Sequence, residues 1–315
     1  MLLASAGVSA QRLVSRITHD YVHGEGPVHE EATFSYDHLG RLVSSHSSGN
    51  PGYIGQTMDE SVSYSPDGSQ MTVNLSLQYE EKYEFAYNVQ TVYELVDGRI
   101  VSFTSRVSSL NEYDLDLATG SVEYDGQGHV VKAAATTHDQ YSGENYTEED
   151  RYFWSGNDLT SSERWHADKL AKKCVFTPCT TATTDNRLLR MLFGGLCEDN
   201  TAKELGTIEL VMYYNMGDAA PGLLTESVYT GKNYTTTLRY EYECDANGDI
   251  VTVLTYRDGK AESVYRVDWQ DGASIDGIAV HDNTREVWHS LDGRRVAHPA
   301  TKGIYVKDGR KVVVR

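Results

Sequence analysis

The phrase "SVEYDGQGHVVKAA" at residues 121–134 recurs along the chain at a near-constant spacing, and that recurrence constrains the fold more than any other feature. Tyr36 precedes "DHLGRLV", Tyr64 precedes "SPDGSQMTV", Tyr93 precedes "ELVDGRIV", Tyr124 precedes "DGQGHVV" and Trp154 precedes "SGNDLTS", at intervals of 28, 29, 31 and 30 residues. A fixed period of this size marks one supersecondary unit used repeatedly. Tyr and Val favour a pleated, half-buried surface, and Asp-Gly or Asn-Gly supplies the positive φ of a tight turn, so the unit is a β-hairpin. Pro66-Asp67-Gly68 fits a type I turn closed by a glycine bulge, and Asp97-Gly98 and Asp258-Gly259 fit two-residue type I′ loops.

The flanks alternate as strands with one buried face do. Met71, Val73, Leu75 and Leu77 oppose Thr72, Asn74 and Ser76, while Leu238, Tyr240, Tyr242 and Cys244 oppose Arg239, Glu241 and Glu243. The apolar set runs on through Tyr79, Tyr83, Phe85, Tyr87 and Val89, too far for one strand, so a turn or sharp bend is expected near Glu80-Glu81-Lys82. The expected fold is all-β: a twisted antiparallel meander of repeated hairpins, for which a closed barrel and a half-barrel are both open.

After Trp154 the next repeat positions are Tyr214 and Tyr242, as if one unit had been replaced by an insertion over roughly 165–207. Within it "DNRLLRMLFGG" offers Asp185 or Asn186 as a helix cap, an apolar cluster of Leu188, Leu189, Met191 and Leu192, and Gly194-Gly195 as a stop. So short a helix is stable only when packed, which suggests a plug for an open end or edge of the sheet. The repeated-hairpin domain spans 11–270, a polar linker 271–284, and a small β module 285–315 with hairpins at Asp292-Gly293 and Asp308-Gly309.

The formal charge is −18, with residues 285–315 carrying +5 and the body therefore −23. An acidic surface repels phosphate backbones and anionic head groups, which argues against nucleic acid as a partner. No run approaches the roughly eighteen apolar residues of a membrane-spanning helix, a test that does not bear on β-barrels. The first ten residues, "MLLASAGVSA", are apolar and end in Val8-Ser9-Ala10, a small-x-small pattern like a signal-peptidase site but without a basic region. Read as a truncated signal, cleavage would leave Gln11 first. Export would permit disulfides among Cys174, Cys179, Cys197 and Cys244, with Cys174–Cys179 closing a small loop and Cys197–Cys244 tying the insertion to a later strand as one of three pairings.

No sequence motif assigns a catalytic, cofactor-binding or metal-binding residue. In "THDYVHGEGPVHEE", His19, His23, His29 and Glu30 would have to converge across a hairpin to hold a metal, and their spacing matches no defined site. Asp245-x-Asn247-Gly248-Asp249 begins like a calcium loop but has Tyr256 where the twelfth-position Glu belongs, so it reads as a hairpin turn. Carboxylates such as Glu30-Glu31, Glu80-Glu81 and Glu148-Glu149-Asp150 leave a glycosidase pair open by count. There is no Gly-x-Ser-x-Gly elbow, phosphate loop or His-Glu-x-x-His.

The body, residues 12 to about 268, resembles a Bacteroidota family of unknown function described as having a porin-like fold, itself similar to tyrosine-aspartate repeat proteins. "FSYDHLGRLV", "YDGQGHVV", "LLRMLFGGLCEDNTAKEL" and "YECDANGDIV" carry that resemblance, from which the cysteines depart. The tail, with "LDGRRV", "KGIYV" and "DGRKVVVR" in order, resembles the carboxy-terminal secretion and sorting modules of exported Bacteroidota proteins. That resemblance implies the secretion machinery as a partner and a location at the outer-membrane surface, outside the cell or in the periplasm. The expected role is non-catalytic binding or surface scaffolding; an aromatic on an exposed sheet face could stack against a sugar ring, but most of the tyrosines hold the repeat position that should point into the core. The alternatives are a carrier of lipid or another apolar ligand in a concave face, and a glycan-active hydrolase.

Overall fold

A computed structural model describes residues 12–22, 29–38, 40–49, 56–79, 86–109, 114–139, 143–195, 221–270, 288–290, 295–296, 303–307 and 310–314. It divides into two units, 1–272 and 273–315. The first is a closed antiparallel barrel of sixteen strands in which every strand pairs with its sequence neighbours and β1 closes on β16. Its strands are β1 (Val14–Tyr21), β2 (His29–Tyr36), β3 (Leu42–Gly49), β4 (Gln56–Tyr64), β5 (Gln70–Tyr79), β6 (Ala86–Val96), β7 (Arg99–Ser109) and β8 (Asp114–Tyr124) in the first half. The second half holds β9 (Val130–Asp139), β10 (Asn145–Ser155), β11 (Asp158–His166), β12 (Lys169–Pro178), β13 (Leu224–Gly231), β14 (Thr235–Cys244), β15 (Ile250–Arg257) and β16 (Lys260–Trp269). Strands β5 and β6 are antiparallel, so the chain does reverse between Tyr79 and Ala86.

The repeat of about thirty residues is two strands and their two connections, and its aromatic closes one end of the barrel. At the ends of even-numbered strands, Tyr36, Tyr64, Tyr124, Trp154, Tyr242 and Trp269 pack against the core. Five of them reach back to a carbonyl at the start of the preceding strand. Tyr64 donates to Leu42 O (3.5 Å), Tyr124 to Ile100 O (2.7 Å), Trp154 Nε1 to Val130 O (2.7 Å), Tyr242 to Leu224 O (2.7 Å) and Trp269 Nε1 to Ile250 O (2.9 Å). Residues at or just before strand starts cover these rings: Arg41 lies over Tyr64, Arg99 over Tyr124, and His129 stacks on Trp154 with centroids 4.5 Å apart. In β6 this position is held by Leu95, with Tyr93 one inward step deeper and 1% exposed, so the repeat aromatic assigned to Tyr93 moves by two residues.

The turns follow their chemistry. Asp97 and Gly98 both have positive φ (51° and 75°), as do Asp258 and Gly259 (50° and 78°), which a type I′ loop requires. Asp125 accepts from the backbone N–H groups of Gln127 and His129, and Asp245 from those of Asn247 and Asp249, so each carboxylate closes its own turn. The backbone hydrogen bond from Asp249, followed by that from Asn247, holds Asp245 below the usual carboxylate range against the opposing effect of burial.

Strands β11 and β12 belong to the barrel as an ordinary hairpin. The interruption expected at roughly 165–207 therefore lies between Pro178 and Leu224, where helix α1 (Arg187–Phe193) sits. Asn186 is its cap, the side chain accepting from Leu189 N at 3.2 Å. Leu188, Leu189, Met191, Leu192 and Phe193 are buried, and Phe193 meets Tyr240, Tyr242 and Tyr265 edge-on. A lumen that sixteen strands would leave wide is filled at this end by the helix and inward side chains including Leu42, Met71, Ile100, Leu159 and Leu238.

The second unit is a four-stranded antiparallel sheet in the order β18-β17-β19-β20, from β17 (Trp288–Ser290), β18 (Arg295–Val296), β19 (Gly303–Lys307) and β20 (Arg310–Val314).

Candidate functional site

Period-two alternation assigns each strand residue to the inside or the outside of the wall, and the outside is polar. Ser63, Thr72, Val92, Thr104, Thr119, Thr136 and Thr147 form one outward row across seven strands in continuous register. Outward ion pairs join Arg16 to Asp268, Lys173 to Glu163, and Arg266 to Asp20. A barrel crossing a bilayer carries an apolar band about 25 Å tall on this face. Here the lining is inverted, with apolar groups inside and mainly hydroxyls, amides and charges outside, among which Phe153, Leu170 and Val175 are exposed singly.

Inside the barrel a few polar groups are walled in. His19 on β1 is fully buried, with Nδ1 2.9 Å from Glu30 Oε2 on β2 and its ring stacked on Tyr265 at 4.0 Å. Gly49 leaves room for Glu30, because a Cβ there would lie 2.6 Å from Glu30 Cγ. On β4, Glu60 is 3% exposed, and Ser45 Oγ donates to its Oε2 at 2.8 Å while Oε1 has no partner. Burial pushes the Glu60 carboxyl up to about 8, against the opposing effect of the Ser45 bond.

These positions separate the four residues weighed for a metal. His19 and Glu30 face inward, whereas His29 faces outward and meets Asp20 at 2.7 Å, so the strand wall lies between the pairs. His23 lies outside the described residues. Among the described residues no group of three or more His, Cys, Asp or Glu is arranged to hold a metal ion. The Cys174–Cys179 bridge is not made: Cys174 is buried inward from β12, Cys179 follows Pro178 half-buried, and Cys244 is exposed. Cys197 lies outside the described residues. The repeat tyrosines pack against the core, as their place in the repeat predicts, and Tyr124 and Tyr242 donate to backbone carbonyls, so they offer no stacking platform on the outer face.

A candidate site is a depression of about 560 Å³ on the outer face of β4–β7, within the range of small-molecule sites. Two outward rows line it. Ser61, Asn74, Gln90 and Arg106 stand side by side across the four strands, and Asp59, Ser76, Asn88 and Ser108 form the next row. Gln90 Nε2 donates to Asn74 Oδ1 at 2.9 Å, which orients both amides, and His46 Nδ1 holds Asp59 at 2.6 Å. Ser108 Oγ donates to Asn88 O at 3.5 Å, and the remaining amide groups with the Ser61 and Ser76 hydroxyls supply both donors and acceptors to the depression. Asp59 and Glu60 point to opposite faces of β4 and cannot form a carboxylate pair across a bound glycosidic bond. Alternation marks Thr72, Asn74 and Ser76 as outward in the sequence, but alignment with residues 59–61, 88–90 and 106–108 requires the strand register.

Fold and site together define a closed, plugged β-barrel with a polar exterior and an open polar depression on one wall. No family model matches the sequence, and no curated protein does. Among solved structures, a porin-like protein from Bacteroides uniformis is similar over 82% of this chain and 98% of its own, with a TM-score of 0.55 at 15% identity. A porin-like protein from Bacteroides vulgatus covers the same shares with a TM-score of 0.44 at 12% identity. The first of these shares the barrel fold with this chain.

Proposed function

We propose that this protein is an exported, water-facing, non-catalytic barrel that binds glycan on the outer face of β4–β7. The in-register amide and hydroxyl rows carry this reading, because a sugar presents hydroxyls that both donate and accept, and this depression offers both. Strand spacing of ~4.8 Å sets the rows near the length of one sugar unit in an extended chain. Water-facing rather than membrane-embedded use rests on the polar outward rows. Export rests on the signal-like Val8-Ser9-Ala10 and on the likeness of the tail to sorting modules, through which the chain would be handed to secretion machinery.

Glycan-array screening followed by calorimetry on the wild type and on Asn74→Ala/Gln90→Ala tests the reading. The expected result is measurable binding that the double substitution abolishes while the thermal unfolding profile is kept. Binding unaffected by the double substitution, or no binding to any glycan, refutes it. Detergent phase separation provides a separate check, with the protein expected in the aqueous phase.

A further inference from the structure

Among the described residues, Arg106 is the one arginine whose side chain makes no hydrogen bond, ion pair or ring contact. The others are occupied: Arg12 meets Asp249, Arg16 meets Asp268, Arg41 meets Asp37, Arg164 holds Asp150 through two nitrogens, and Arg257 meets Glu262. Such pairing is expected on a chain of net charge −18, where acidic side chains outnumber basic ones 46 to 28. An exposed guanidinium left unpaired among so many carboxylates is therefore a departure from the pattern of the rest of the molecule. Its location is specific, because Arg106 ends the Ser61–Asn74–Gln90 row and lines the outer depression. Its cross-strand partners, Gln90 on β6 and Leu117 on β8, and its same-face neighbours along β7, Thr104 and Ser108, are uncharged. The nearest acidic side chain in the depression, Asp59, stands three strands away and is taken by His46.

We infer that the glycan held on this face is acidic, with Arg106 receiving the carboxylate of a uronic acid unit. The inference rests on the glycan reading and deepens it. A guanidinium presents parallel N–H donors that match the two oxygens of a carboxylate, and such a charge-assisted fork is stronger and more directional than a contact between neutral groups. The amides of Asn74 and Gln90 then read the hydroxyls of adjoining units along the row. The surrounding negative charge does not favour the encounter, so recognition depends on this local contact and not on long-range steering. Such a surface also disfavours densely charged chains that lack a unit in register with Arg106.

The test compares one chain in two charge states: oligogalacturonate and the same oligomer with its carboxylates methyl-esterified, titrated against wild type, Arg106→Gln and Arg106→Lys. The expected result is that wild type binds the acid form about tenfold more tightly than the ester, a gap that shrinks with added salt. Arg106→Gln closes the gap by weakening the acid form alone, and Arg106→Lys keeps part of it, since a point charge lacks the fork. A sulfated neutral oligosaccharide serves as the third ligand. Binding of that ligand in preference to the uronate shows that the guanidinium reads a tetrahedral sulfate and overturns the carboxylate assignment. Equal binding of acid and ester by wild type, or a gap that survives Arg106→Gln, overturns the inference and leaves the glycan reading standing. Failure of all three oligosaccharides to bind overturns the inference, and the glycan reading falls with it only if the glycan array is also blank.

Discussion

The buried carboxyl of Glu60 makes a quantitative prediction about how stability responds to pH. Glu60 faces inward from β4, in register with Leu75 on one side and Ser45 on the other, and burial raises its carboxyl from the ordinary 4.5 to about 8. The folded state therefore holds this proton more tightly than the unfolded state. Between pH 4.5 and about 8 the unfolded chain has released the proton while the folded one keeps it, so stability falls as pH rises across that window. At about 1.4 kcal/mol per pH unit, the window corresponds to a loss of roughly 5 kcal/mol, complete near pH 8 and absent below pH 4.5. Glu60→Gln keeps the shape and an oxygen for the Ser45 hydroxyl but cannot ionise. Urea unfolding at pH 5, 6, 7, 8 and 9, followed by near-ultraviolet circular dichroism, should show the variant gaining on the wild type with each step until about pH 8 and by a constant margin above it. Other carboxylates titrate alike in both proteins, so their contribution cancels in the difference. Parallel pH profiles for the two proteins, or a wild type that becomes relatively more stable between pH 6 and 8, would refute the reasoning.

Other predictions follow from the same geometry. Tyr124→Phe keeps the ring and removes the 2.7 Å bond to Ile100 O, which should cost about 1 kcal/mol in urea unfolding, and Trp154→Phe should act similarly at Val130 O. A Cβ at Gly120 would lie 2.2 Å from Phe103 Cζ and 2.5 Å from Ala134 O, so Gly120→Ala should destabilise by about 1–3 kcal/mol. Introducing Phe103→Ala beside it should recover only part of the loss, because the carbonyl contact remains; full recovery would assign the clash to the ring alone. Iodoacetamide with peptide mapping should modify Cys244 in the native protein and Cys174 only after unfolding, whereas a disulfide-linked Cys174–Cys179 peptide would contradict the unbridged pair.

Much of the wall could be read from the chain, because alternation and turn chemistry are local. Met71 to Leu77 facing away from Thr72 to Ser76, the Asp97-Gly98 loop and the Asn186 cap each depend on a few adjacent residues and appear in the structure where expected. Local rules misplaced what depends on phase within the repeat. Tyr93 satisfies the spacing as well as Leu95 does, and only the bulge between Glu94 and Leu95 decides which side chain reaches the barrel end. Likewise "RWHADKL" lacks the glycine that marked other turns, so the β11–β12 hairpin was absorbed into the expected insertion. Its turn uses Ala167 at φ 53°.

By itself the sequence determined a meander of hairpins with one buried and one wet face, since each hairpin is specified by interactions among neighbours. Tertiary structure decided whether the meander closes. Pairing of Ile17 with Val267 joins residues 250 positions apart and depends on twist summed over sixteen strands. Closure then separates the lumen from the solvent, placing His19 with Glu30 inside and His29 with Asp20 outside, although all four come from one short stretch. It likewise aligns Ser61, Asn74, Gln90 and Arg106, drawn from four strands, into one row. No local pattern could single out Arg106, because being unpaired is a property of everything around it in space.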